Sequence, residues 1–190
     1  MFSEGILASL GHRMALIEKA AAYEGRTREK ILALGEAERV YYCLYPRYYR
    51  AIQTICMVEQ LGVANTLGVH LFQVAENRLA SLLLKNVVDA LCDGDLQLRH
   101  DQRPSEIAFA VCNFAFGARA MMNCQIATRA SGLENIPPKI QDTTALFLDS
   151  LGWQPLSTDW NYAHTRLRIR RNLFAREWEQ IRALTGQTTA

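Results

Sequence analysis

At 190 residues the chain has the length of one ordinary domain. Its composition, 49% hydrophobic and 21% charged with a formal net charge of +2, excludes a disordered tail, a fibrous repeat and a polycation that grips nucleic acid by charge alone. No apolar run approaches the roughly 18 residues that span a bilayer. The opening Met1-Phe2-Ser3-Glu4-Gly5 carries an acid where a secretory leader would be basic, so a cytoplasmic protein with no membrane partner is expected.

Helical periodicity runs through nearly the whole chain. Ile6, Leu10, Met14 and Ile17 recur at three- and four-residue spacing and predict a first helix over residues 3–23, stopped by Gly25. Thr27 and Glu29 start a second, which carries Ile31, Leu34, Ala37, Val40, Tyr41 and Leu44 up to Pro46. Proline is tolerated in a first helical turn but not in an interior, so Pro46 is expected to open a third helix, running to Gly62. The fourth, over residues 66–91, keeps Leu71, Val74, Leu79, Leu83 and Val87 in register. Asp93-Gly94-Asp95 ends it, glycine supplying the left-handed terminal residue.

After a connector at 96–103, Pro104-Ser105-Glu106 opens the most apolar helix, reaching about Ala130. Beyond Gly132 and Pro137-Pro138, residues 139–151 predict a shorter helix that ends at Gly152. A last helix, capped by Ser157 or Asp159, ends near Leu184 and leaves 185–190 as a frayed tail. No alternating β pattern competes. The expectation is an all-α bundle of about seven helices, with residues 1–190 as a single domain.

Chemical motifs are sparse. Cys43, Cys56, Cys92, Cys112 and Cys124 lack paired spacing, as expected of small buried hydrophobes in a reducing compartment rather than zinc ligands or disulfides. His12, His70, His100 and His164 have no partner at helical metal spacing, and GxSxG, P-loop and GxGxxG patterns are absent. No catalytic residue, metal or cofactor is therefore expected. Arg166, Arg168, Arg170, Arg171, Arg176 and Arg182 spread around the last helix, which predicts a solvated face with intrahelical pairs. Tyr41, Tyr42, Tyr45, Tyr48 and Tyr49 straddle Pro46 and would either build core or floor a ligand cavity.

The helix from Ser105 onward is apolar around more than half its circumference, which suits packing on two sides and therefore a homodimer. The residues expected at that interface are Ala108, Ala115, Phe116, Ala118, Leu167, Phe174 and Trp178. Polar residues interrupting apolar faces suggest a pocket lined by Tyr41, Tyr45, Gln53, Met57, Val74, Arg78, Phe114, Arg119 and Met122. Arg119, set among Phe116, Ala118 and Met121, would need an anionic partner, either Glu76 or a ligand carboxylate.

Several segments together resemble the C-terminal regulatory domain of the tetracycline-repressor (TetR) family of bacterial transcription regulators. They are the helix start Phe2-Ser3-Glu4-Gly5-Ile6-Leu7, the junction Tyr23-Glu24-Gly25-Arg26-Thr27-Arg28-Glu29-Lys30-Ile31-Leu32, the elbow Leu44-Tyr45-Pro46-Arg47-Tyr48-Tyr49-Arg50, the turn Asp93-Gly94-Asp95-Leu96 and the closing Leu148-Asp149-Ser150-Leu151-Gly152-Trp153-Gln154-Pro155-Leu156. The resemblance implies an effector-sensing, dimerising domain that binds a small apolar or amphipathic molecule. The family's three-helix DNA-reading unit has no counterpart here, so operator DNA would be reached only through an N-terminal helix-turn-helix absent from this chain. The alternatives are a ligand-free helical interaction module and, further off, an all-helical enzyme.

Overall fold

A computed structural model of the chain describes residues 4–58, 67–123, 132 and 136–186. Those residues form eight helices and no strand: α1 Glu4–Ala21, α2 Thr27–Leu44, α3 Pro46–Val58, α4 Leu67–Cys92, α5 Pro104–Asn123, α6 Ile136–Ser150, α7 Tyr162–Asn172 and α8 Ala175–Thr185. The fold is all-α. None of the described helices is long and apolar enough to cross a membrane. The expected helical ends at Gly62 and Ala130, and part of the tail at 185–190, lie outside the described residues.

Local chemistry accounts for the helix boundaries. Pro46 and Pro104 are first helical residues, where a missing N–H leaves no bond unmade. Glu29 accepts the backbone N–H of Arg26 at 3.2 Å, and Glu106 that of Arg103 at 3.0 Å. Each glutamate thus reaches back from the third helical position to satisfy an end donor. At the end of α6, Gly152 takes φ 72°, its N–H bonds the Asp149 carbonyl at 2.8 Å, and the Trp153 N–H bonds the Leu148 carbonyl at 3.1 Å. That double closure is a Schellman end, and it needs the left-handed glycine.

Three expectations are corrected. Helix α6 begins at Ile136 instead of 139, with Pro137 and Pro138 inside its first turn, where proline is compatible with the helix. The last predicted helix divides at Phe174, whose backbone (φ −119°, ψ 25°) leaves the helical region and whose side chain is fully buried. Seating that ring takes precedence over helix continuity, so two helices, α7 and α8, stand among the described residues where one was expected. Ser157 does not cap this segment, because its N–H and its hydroxyl both bond to Asp149; regular helix resumes only at Tyr162.

The chain divides into two compact units. The first comprises Met1–Gly25, Leu32–Leu79 and Ala163–Ala190. Its core includes Leu10, Ile17 and Ala20 of α1, Ala33, Ala37, Val40 and Tyr41 of α2, Phe72 and Ala75 of α4, and Ile169, Phe174 and Ile181. The second comprises Arg26–Ile31 and Ala80–Tyr162, with Val87, Ala90, Leu96, Ile107, Val111, Leu148 and Trp153 buried.

Candidate functional site

In α1 the residues turned inward are Ser9, Leu10, Arg13, Leu16, Ile17 and Ala20, a stripe at helical spacing that places two polar groups in the core of the first unit. A buried charge must be paired, and Arg13, 4% exposed, is paired twice. Its Nε donates to Glu38 Oε1 at 2.9 Å and its Nη1 donates to Glu76 Oε1. Burial alone would lower the Arg13 pKa, but Glu38 and Glu76 outweigh it and hold the guanidinium above its ordinary value. The side chain of Glu38 is 5% exposed and that of Glu76 is 40% exposed, so the cluster reaches solvent on the α4 side.

One turn earlier, Ser9 Oγ shares a hydrogen bond with the hydroxyl of Tyr41. Burial pushes the Tyr41 phenol up, with the Ser9 bond and the nearby Arg13 opposing. Tyr41 leads a group of rings that continues around the Pro46 elbow. Tyr45 lies 5.5 Å away, Tyr49 6.0 Å away, and Tyr42 meets Tyr49 edge-on at 5.1 Å. On the α1 side, His12 stacks on Tyr45 at 5.1 Å. Tyr49 is buried, and its hydroxyl has no hydrogen-bond partner.

A second anchor in the same unit centres on Glu36, which is buried. It accepts Arg170 Nε at 2.6 Å and Trp178 Nε1 at 3.1 Å. The indole of Trp178 also meets the guanidinium groups of Arg39 at 5.2 Å and Arg170 at 4.8 Å. Arg168 donates to the Tyr23 hydroxyl at 2.8 Å. Arg168 and Arg170 of α7 thus bond outside their own helix, while Arg171, Arg176 and Arg182 are exposed, as expected of a solvated face.

The second unit has its own buried cation. Arg28, 0% exposed, donates from Nη1 to Asp149 Oδ1 at 2.6 Å and to the carbonyls of Trp153 at 2.7 Å and Pro155 at 2.9 Å. Its Nη2 donates to the Ala145 carbonyl at 3.0 Å, and the guanidinium lies 4.3 Å from the centre of the Tyr162 ring. Thr27 beside it accepts Trp153 Nε1 at 3.1 Å and donates to Asp95 at 2.6 Å. The closing leucine–glycine–tryptophan segment is fastened through this pair.

The residues expected to line a pocket fall in both units. Tyr41 and Tyr45 come together in the first, with Gln53 buried one turn beyond Tyr49 on α3. Val74 is exposed, and Arg78 forms a two-bond pair with Glu18 at 2.6 and 3.0 Å. Phe114, in the second unit, stacks on Phe147 at 4.5 Å, and Arg119 there is half-buried. Glu76, weighed as the partner of Arg119, accepts from Arg13. Met57 and Met122 lie outside the residues whose side chains are described.

Among the expected interface residues, Ala108 and Phe174 are buried within the chain and serve as core there. Ala115, Ala118 and Trp178 are half-buried, while Phe116 and Leu167 are exposed. The outward face of α5 is marked instead by Phe109, Asn113 and Phe116 at i, i+4 and i+7, with Met121 beyond. Sequence reasoning missed Ser9, Arg13, Glu36, Glu38 and Arg28. The available signal was polar residues at inward register positions, Ser9 and Arg13 sharing a stripe with Leu16 and Ala20. No cluster of three or more histidine, cysteine or acidic side chains that could hold a metal ion occurs among the described residues. No protein family, curated protein or solved structure matches the chain.

Proposed function

We propose that the chain is the effector-sensing and dimerisation region of a bacterial transcription regulator similar to the TetR family. It acts in the cytoplasm as a homodimer, binds a small apolar or amphipathic molecule, and alters operator binding through an N-terminal helix-turn-helix outside these 190 residues. It requires no catalytic group and no cofactor.

The observation that carries this reading is how α1 is held. Under the resemblance, α1 is the helix that leads to the DNA-reading unit, and its inward face is bonded directly to α2 and α4 through Ser9–Tyr41, Arg13–Glu38 and Arg13–Glu76. A guest that repacks the tyrosines beside those bonds would shift α1 by its differential affinity for the two arrangements. Support for self-association comes from the exposed Phe109 and Phe116 of α5, because large apolar groups left in water on one helix face suit burial against a second copy.

Light scattering coupled to size exclusion should give a dimer at micromolar concentration, and Phe116→Glu should shift it toward monomer. A wild-type monomer would reject the dimer. In a thermal-shift screen of apolar and amphipathic small molecules, a stabilising compound should also change hydrogen exchange along α1. Ligands that leave α1 unaltered would reject the transmission mechanism.

A further inference from the structure

We infer that Arg47 and Arg50 of α3 make a second contact with the DNA backbone, separate from the helix-turn-helix; this rests on the reading above, in which α1 leads to the DNA-reading unit. Position comes first. Helix α3 packs on α1, and Tyr48, between the two arginines, lies against Gly5: a Cβ built on Gly5 would stand 2.7 Å from the Tyr48 hydroxyl oxygen. The start of α3 is therefore beside the first turn of α1, the end from which that helix departs toward DNA. The basic residues of α8 lie elsewhere. Lys19 donates to Glu177 at 2.7 Å, and the axial rise from Gly5 to Lys19 is about 21 Å, so Arg176, next to Glu177, stands beside the far end of α1.

Charge comes second. Arg47, Arg50 and Thr54 share one face of α3 at i, i+3 and i+7, and all three are exposed. Arg13, Arg78 and Arg170 of the same unit each hold a carboxylate. Arg47 and Arg50 form no ion pair among the described residues, and Glu4 at the start of α1 pairs with neither. Two like charges one turn apart repel, and nothing in the packing of α3 requires them. An anion that spans both removes the repulsion. Side chains one turn apart leave the helix about 5–6 Å from each other, within reach of neighbouring phosphates on one strand. Basic residues also outnumber acidic ones in the first unit, while the reverse holds in the second. A lipid surface fits less well. This face continues to Thr54 and offers no large apolar side chain to insert, because Tyr48 is laid onto α1.

The test is an NMR titration of the full chain with a DNA duplex of about 15 base pairs at about 20 mM salt, where phosphate contacts are strongest. Weak binding, equal for duplexes of different sequence, should shift resonances from Arg47 to Arg50 and in the first turn of α1. Arg47→Ser and Arg50→Ser should each weaken it severalfold and lower the slope of log affinity against log salt by about one for each protomer in contact, without lowering the melting temperature. Arg176→Ser removes the same charge at the far end of α1 and should change neither quantity. No binding of the duplex, shifts located elsewhere, or an equal loss in Arg176→Ser overturns the inference. Binding to phosphatidylglycerol vesicles in preference to the duplex also overturns it and makes the face a membrane contact. The sensing reading is decided separately, by light scattering and the small-molecule screen.

Discussion

Replacing Arg28 by methionine preserves side-chain length and apolar contact but removes every donor that the guanidinium supplies. Four acceptors then lose a donor: Asp149, which keeps its two bonds from Ser157, the carbonyl of Pro155, which keeps that from the Tyr162 hydroxyl, and the carbonyls of Ala145 and Trp153. Three of the four are main chain, so no compensating substitution at a partner can convert this into a well-packed apolar contact. Breaking a buried charge pair by removing one member costs about 3–5 kcal/mol. At this chain length each kcal/mol moves the melting temperature by about 2–4 °C, which predicts a fall of about 6–20 °C. Asp149→Asn should cost less, about 1–3 kcal/mol, because the carboxylate is partly exposed and the three carbonyls still hold Arg28. Urea unfolding followed by circular dichroism and by tryptophan emission measures both. A loss below 1 kcal/mol for Arg28→Met would mean that solvent re-satisfies the carbonyls and that the closing segment is fastened by something else.

The backbone and the titrating groups give further tests. Gly35 is an exposed residue within α2 with open space around a built Cβ, so Gly35→Ala should raise stability by about 0.5–1 kcal/mol. Gly94, at φ 75°, should show the opposite sign, with Ala costing about 1–2 kcal/mol in thermal unfolding. Burial pushes the Tyr162 phenol from 10.0 up to about 12. The folded state therefore holds that proton more tightly than the unfolded chain, and the associated stability is present below pH 10 and lost between pH 10 and about 12. Denaturation across that range should show a shallower alkaline loss in Tyr162→Phe than in wild type, and identical slopes would remove Tyr162 as the cause.

The helical elements were largely legible because their boundary signals are local. Pro46, Pro104, Gly94 and Gly152 each act through their own backbone, and Glu29 and Glu106 act within one turn. The break at Phe174 was not legible. Nothing in Arg171-Asn172-Leu173-Phe174-Ala175 disfavours a helix, and the interruption follows from seating one aromatic ring in a core assembled from distant segments. The site divides along the same line. The tyrosine run is contiguous in sequence and was singled out, whereas Arg13, Glu38 and Glu76 are separated by 25 and 63 residues and become one cluster only in space.

Helix α2 shows why apolar register alone was an incomplete guide. Thr27, Arg28, Glu29, Glu36 and Glu38 are all at most 5% exposed, so this helix turns polar side chains inward from its first turn to past its middle. Trp160 Nε1 donates to Glu29 at 3.2 Å, Arg170 and Trp178 to Glu36, and Arg13 to Glu38, so each acid on α2 has a defined donor. Buried pairs of this kind contribute little net stability against apolar replacements, but each fixes an angle about the helix axis. An apolar stripe tolerates small rotations because one methyl group can stand in for another. A carboxylate 2.6 Å from one guanidinium nitrogen does not. The orientation of α2, and through Ser9 and Arg13 that of α1, is thus set by directional bonds.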